Sequence, residues 1–351
     1  MKSLKKHWWK ALAVVLLLYT FGFSFLVPLS PTLKSASPSS LKLGKNEVVF
    51  TGYNTHFEEN ENISISIEFE SRTLICGNQT KVLNENQIST EFVIPGSLTS
   101  KVLHVRIHTP KFSSFSPELV KAFDIIEIED TNQHCESNPF ASSTPLDIPN
   151  RLQLNETIRN LMFHVPMWFT MMLILSISFW YSIKYLNTFD LKYDRIAREA
   201  VNIGLLFAVL GLITGSIWAK FTWSEHTDLF TTSGWWVNDV KLNGAAITTL
   251  IYLAYRILRN SLQEESQKAK ISAVYNIFAF VLMIVFIMIL PRITDSLHPG
   301  NGGNPAFGKY DLDSTLRMVF YPAVLGWMLL GVWMLTLKKR ISNLQTTIDN
   351  E

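Results

Sequence analysis

The chain reads as an α-helical integral membrane protein of six transmembrane helices, with an extracytoplasmic β-sandwich domain inserted between helices 1 and 2. Three observations predict this class. The 351 residues are 48% hydrophobic and only 17% charged, too apolar for an ordinary soluble protein. Six windows approach the ~20 nearly uncharged residues that a helix needs to cross the hydrocarbon core. Between the first and second windows the pattern changes to short runs of two-residue alternation, the mark of half-buried strands. The net charge of +2 is close to neutral and gives no ground for a nucleic-acid role.

The apolar windows are Ala11 to Leu29, Leu161 to Leu186, Ala200 to Trp218, Leu242 to Leu258, Ala273 to Leu290 and Met318 to Leu337. The fourth carries Asn243 and Gly244 at its start and is the least apolar in pattern. Val27, Pro28 and Leu29 make a poor cleavage site after the first window, so it reads as a retained helix and not as a signal peptide. Basic residues fall in alternate connections: Lys2, Lys5, Lys6 and Lys10; Lys184, Lys192, Arg195 and Arg198; Arg256, Arg259, Lys268 and Lys270; Lys338, Lys339 and Arg340. Lys and Arg are retained on the cytoplasmic side, which predicts a multi-pass protein with both termini cytoplasmic. The expected organisation is a first helix over 1–30, a β-rich domain over 31–155, a five-helix membrane domain over 156–340 and a cytoplasmic tail over 341–351.

Within the inserted domain, a Ser/Pro-rich linker (Ser30 to Ser40) precedes the runs Glu47 to Tyr53, Ile63 to Glu70, Glu91 to Pro95, Lys101 to His108 and Phe123 to Glu129. Short β-branched runs punctuated by Gly, Asn and Pro fit a small antiparallel sandwich. A polar linker, about Ser137 to Asn150, returns to the membrane. The two cysteines, Cys76 and Cys135, would meet an oxidising compartment there, and the sequence leaves open whether they pair or stay as buried thiols. Neither lies in a CxxC motif, so no dithiol redox chemistry is implied.

The chemistry concentrates in the connection Trp218 to Asp239, WAKFTWSEHTDLFTTSGWWVND, which holds Trp218, Trp223, Trp235 and Trp236, four of the ten tryptophans. Indoles at a membrane edge either anchor in the headgroups or offer a surface to a flat aromatic ligand. A histidine stands on each side of this loop: His164 at the outer end of the second window, and His298 in the loop after the fifth. Such residues either hydrogen-bond a neighbouring helix or solvent, or serve as haem-iron ligands, the usual role of neutral imidazole beside a porphyrin.

Four separated motifs, FHVPMW (Phe163 to Trp168), TGSIWAKFTW (Thr214 to Trp223), GWWVND (Gly234 to Asp239) and LHPG (Leu297 to Gly300), resemble the CcmC haem-handling proteins of cytochrome c maturation. The resemblance covers the first helix and about 155 to 340. It implies a WWD domain over 218–239, haem b as cofactor, and His164 and His298 as its axial ligands. Trp218, Trp223, Trp235 and Trp236 would line the macrocycle while Asp239 braces the loop. Lys220, Lys241, Arg292 and Arg317 are the cations expected near the propionates. The implied function is to bind haem at the outer, periplasmic face and present it to a CcmE-like haem chaperone. The resemblance also implies an assisting ATP-binding cassette complex like CcmAB and CcmD; no P-loop is present in this chain, so any ATP use would belong to that partner. The expected partners are those proteins and membrane lipid, and the expected role is transfer and not catalysis.

The chain departs from the family pattern in three places. Position 238 is Asn where the family has a tryptophan, Ser224 to Ser233 reads as an insertion that brings His226, and Asn243, Gly244 and Ala245 replace acidic and hydroxyl residues. Two other functions compete with the handover: export of haem across the membrane, and a lyase that joins haem directly to apocytochrome c. Export would call for more polar groups inside the spans than Asn243, Asn276 and a few hydroxyls.

Overall fold

The structure is a computed structural model that describes residues 2–60, 62–69, 73–94, 102–109, 113–121, 148, 154–224, 233–298, 312 and 314–349. The chain divides into two compact units, Val27–Glu156 and the pair of segments Met1–Leu26 and Thr157–Glu351.

The first unit holds two sheets. One has the strand order β1 (Thr32–Ser37), β3 (Gly44–Tyr53), β7 (Gln87–Ile94), β6 (Asn78–Asn84). The other runs β2 (Ser40–Leu41), β9 (Ser113–Lys121), β8 (Val102–His108), β4 (Ser64–Phe69), β5 (Thr73–Cys76). Alternation drives both. In β3 the side chains of Val48 and Phe50 are buried while those between them are less so, and the antiparallel register sets Phe50 opposite Ile88 and Val48 opposite Thr90. Phe50, Ile88 and Phe92 from the first sheet join Ile65, Ile67, Leu103, Val105 and Ile107 from the second in one hydrophobic cluster.

The segment expected as a Ser/Pro-rich linker contains β1, paired antiparallel with β3 and anchored by the fully buried Leu33. Its order comes from hydrogen bonding to a neighbour far along the chain, which local composition does not report. Cys76 is disulfide-bonded. The other cysteine of the chain, Cys135, lies outside the described residues, as do the expected strand at 123–129 and most of the second linker.

The second unit is a helical bundle: α1 (Lys2–Leu26), α2 (Leu161–Thr188), α3 (Leu191–Thr222), α4 (Val240–Ser261), α5 (Glu265–Ile284), a π-helical turn (Val285–Ile289), α6 (Leu290–Ile293) and α7 (Ser314–Asp349). Among the described residues, five helical stretches, His7–Leu26, Glu156–Thr188, Leu191–Thr222, Glu265–Ile293 and Ser314–Gln345, are long and apolar enough to cross a membrane. The protein is therefore a multi-pass helical membrane protein with an inserted β-sheet region. Helix α4 has 22 residues but falls outside this set, its apolar run being diluted by Asn243, Tyr252, Tyr255, Arg256 and Arg259.

Glycines on α3 let α2 come close. A Cβ at Gly204, Gly211 or Gly215 would press on Leu175, Trp168 or His164 respectively. Around this seam Met171, Ile174, Leu175, Phe207 and Ala208 form the bundle core with Tyr252 and Tyr255 of α4 and Ala279 and Met283 of α5. Polar contacts also tie helices together inside it. Asn276 donates to the hydroxyls of Ser178 and Ser182 at 2.8 and 2.7 Å. Arg259, expected in a basic connection, is instead buried in the last turn of α4 and pairs in two-pronged fashion with Asp194 of α3 at 2.7 and 2.5 Å.

Candidate functional site

The site grows from two imidazoles presented by different elements. His164 sits in the first turn of α2 and is buried. Its Nδ1 lies 3.1 Å from both the Gly211 carbonyl oxygen and the Thr214 Oγ1 of α3. The Gly211 carbonyl can only accept, and the Thr214 hydroxyl has backbone carbonyls of its own to donate to, Leu210 at 2.8 Å and Gly211 at 3.2 Å, so Nδ1 donates. That assignment leaves Nε2 as the lone-pair nitrogen. Gly215 makes room for the ring, since a Cβ there would stand 2.8 Å from His164 Cε1. Pro166 follows inside the helix, where it withholds a bond from the Met162 carbonyl one turn back.

His298 lies in the loop after α6, and its Nδ1 is 2.9 Å from Asp239 Oδ1. Asp239 is the N-cap of α4 and accepts from the Lys241 and Leu242 amides. Its other oxygen accepts from the Ser296 hydroxyl and the Leu297 amide, both at 2.8 Å. One carboxylate thus joins the start of α4 to the His298 loop. Burial alone would raise this carboxyl, but pairing with His298, together with the Leu297 N–H and the Ser296 hydroxyl, outweighs it and holds Asp239 well below the usual carboxylate range. An ionised Asp239 can only accept, so His298 Nδ1 donates and Nε2 is again the lone-pair nitrogen. Carboxylate-to-Nδ1 bonding of this kind fixes ring orientation in metal-binding histidines.

The two imidazoles lie within electrostatic range of each other. Each also meets an indole edge to face, His164 with Trp218 at 5.6 Å between ring centres and His298 with Trp223 at 4.8 Å. The Trp218 Nε1 atom is buried without a hydrogen-bond partner, as is Nε of Arg317 near the start of α7. Buried donors left unpaired carry a desolvation cost that a bound acceptor would relieve. Two Nε2 atoms left free by their Nδ1 bonds, each ring beside an indole, with the unpaired Trp218 Nε1 next to His164, are the kind of groups a flat, metal-centred ligand uses.

The remaining sequence-predicted residues divide. Trp236 is 47% exposed and donates from Nε1 to Asn243 Oδ1, while the Asn243 amide donates to Asn238 Oδ1. Two of the departures noted in the sequence, at 238 and 243, are therefore bonded to each other, and Asn243 also holds Trp236. Lys220, expected beside the propionates, is fully buried and donates to the Ser233 carbonyl at 2.6 Å, with its ammonium 5.9 Å from the Trp235 ring centre. It braces the turn at Gly234, whose φ of +85° a side chain would resist. Burial and this backbone bond remove Lys220 from the list of open cations. Arg292 is exposed on α6. His226 and most of the insertion around it lie outside the described residues. Sequence reasoning missed Gly211, Thr214, Gly215 and Ser296; TGSIW contained three positions within or beside this contact, but nothing in a linear motif says which atom faces which imidazole.

Residues 140–298 match a family described as cytochrome c assembly proteins. The chain is similar to the cytochrome c biogenesis protein CcsA of Prochlorococcus marinus (strain NATL1A), 24% identical over 62% of this chain and 61% of that protein. It is similar also to the heme exporter protein C of Haemophilus influenzae, 27% identical over 44% and 59% of the two chains. These matches support the CcmC/CcsA family of cytochrome c maturation proteins, at low identity. The match spans less than two thirds of either relative, 61% of CcsA and 59% of heme exporter protein C. Within the CcmC/CcsA family match fall both imidazoles, the four tryptophans of the loop and Asp239.

Proposed function

We propose that this protein binds haem b at the outer face of the bacterial inner membrane and presents it to a CcmE-like haem chaperone during c-type cytochrome biogenesis. The observation that carries this reading is the shared state of the two histidines: each has Nδ1 engaged as a donor, which leaves Nε2 as the ligating nitrogen. His164 and His298 would hold the iron. Bound haem supplies an electrophilic vinyl-bearing macrocycle for later attachment. The chain's own residues bind, orient and shield it: Trp218, Trp223, Trp235 and Trp236 by ring packing, Asp239 by fixing His298, and Arg317 as the cation for a propionate.

In this reading α4 crosses the membrane as a sixth span between the Trp-rich loop and a cytoplasmic connection, both termini are cytoplasmic, and residues 31–155 form a periplasmic β-sandwich. Helix 1 over 1–30, the membrane domain over 156–340 and a tail over 341–351 complete the organisation. An ATP-binding cassette complex of the CcmAB and CcmD kind acts with it, and lipid surrounds it.

The test is the visible spectrum of the detergent-purified protein, oxidised and reduced. A six-coordinate bis-imidazole haem spectrum is expected, lost in the double variant His164→Ala/His298→Ala. Equal haem retention by the variant would remove the ligand assignment. Similarity to CcsA keeps a lyase in view as a second reading. Attachment of haem to a CxxCH peptide by the purified protein, with no chaperone added, would favour it.

A further inference from the structure

The π-helical turn Val285–Ile289 interrupts the helix that leads to His298, and it has a definite cause. The Leu290 amide donates to the Val285 carbonyl, five residues back. The next potential donor is Pro291, which has no N–H. The Phe286 carbonyl therefore receives neither the Leu290 bond of a regular α-helix nor a π bond from position 291. It faces Gly244 of α4 instead: a Cβ built on Gly244 would overlap the Phe286 oxygen and stand 3.1 Å from its carbonyl carbon. Only the absence of a side chain at Gly244 admits the Phe286 carbonyl at this approach.

This contact sits between the two ends of the Asp239 bridge. Gly244 lies five residues into the α4 that Asp239 caps. Phe286 lies twelve residues before His298, with the Thr294 hydroxyl returning to the Leu290 carbonyl at the end of α6. One extra residue in a π turn rotates everything after it by about 100° relative to a continuous α-helix. That rotation, and the separation allowed by Gly244, determine where the 294–298 loop meets the α4 N-terminus. There Asp239 gathers the Ser296 hydroxyl, the Leu297 amide and the His298 imidazole.

We propose that Gly244 and Pro291 are positioning residues for His298. Together they hold the π turn against α4 at the offset that lets Asp239 orient the imidazole. The significance for haem rests on the reading of His298 as a ligand, but the positioning itself concerns this chain alone.

Hydrogen–deuterium exchange of the haem-free, full-length protein tests it at the Leu297 amide. In Gly244→Ala the added methyl pushes α5 and α6 away from α4. In Pro291→Ala the restored N–H lets the segment return to regular helix. Both should raise Leu297 exchange at least tenfold, with amides of the α2 and α3 seam unchanged. Wild-type exchange at Leu297 in Pro291→Ala, or in a folded Gly244→Ala, would overturn the proposal. So would a rise shared equally by the α2 and α3 amides, which would mean general loosening. The haem spectrum of His298→Ala examines the ligand reading separately, so the two can fail apart.

Discussion

Asp239 concentrates more of the site's order than any other single side chain among the described residues, because it caps a helix and orients an imidazole with one carboxylate. Asp239→Asn separates these roles. An Asn side chain still accepts at an N-cap, but it loses the charge and one accepting oxygen. If His298 ligates haem, loss of such an outer partner should weaken haem binding roughly 10–100-fold, measured by haem titration at pH 7. The pH dependence has a definite sign. The folded-state carboxyl is held below its ordinary value, so its stabilisation is complete above the unfolded value, about 3.9, and is lost as pH falls through the lowered folded value. The difference in thermal midpoint between wild type and Asp239→Asn should be full at pH 7 and shrink as pH drops below about 4. His164 depends on its neighbour in the same way. Gly215→Ala places a methyl against the imidazole edge, and a roughly tenfold or greater loss of haem affinity is expected from the tilted ring, while far-ultraviolet circular dichroism stays as in wild type.

Among the elements, α3 is the organiser, packing on α2 through its glycines and on α4 through the Asp194–Arg259 pair. Removing one member of such a pair leaves a buried charge alone, which costs about 3–5 kcal/mol. Arg259→Met should therefore lower resistance to denaturant markedly, and Asp194→Leu/Arg259→Met should recover most of the loss, as two apolar side chains of similar size leave no charge unpaired. Recovery is measured by denaturant titration of both variants side by side. An equal loss in the single and double variants would show that the pair is needed for more than neutralisation. The apolar windows located α2, α3, α5 and α7, because lipid-exposed and core-facing helices are both apolar and need no partner to be seen, but only α2 matched its window closely, since the others run on into polar sequence. Helix α4 was visible only weakly: Tyr252, Tyr255 and Arg259 are polar in composition, and only packing shows that all three are buried. The π turn had a trace in Pro291, yet a proline near a helix end ordinarily signals termination.

At the scale of the whole molecule, alternation of basic connections makes a topology that can be measured. With native Cys76 already in a disulfide, Ser40→Cys should react with a membrane-impermeant maleimide in intact cells, and Gln263→Cys only after the membrane is opened. Labelling of both in intact cells would refute the proposed six-span arrangement. By itself the sequence determined the membrane character, the place of the inserted β-rich region, the family resemblance and the two histidines to watch. These are written in composition, period and short motifs, which act through local chain geometry and partition into lipid. The tertiary structure alone decided that Ser30 to Ser40 carries a strand, that Lys220 is spent on a backbone carbonyl and that Asn238 meets Asn243 around Trp236. It alone decided the two Nδ1 donations that prepare His164 and His298. Each depends on which atom of another turn or segment comes within 3 Å or so, and no period or propensity along the chain carries that distance.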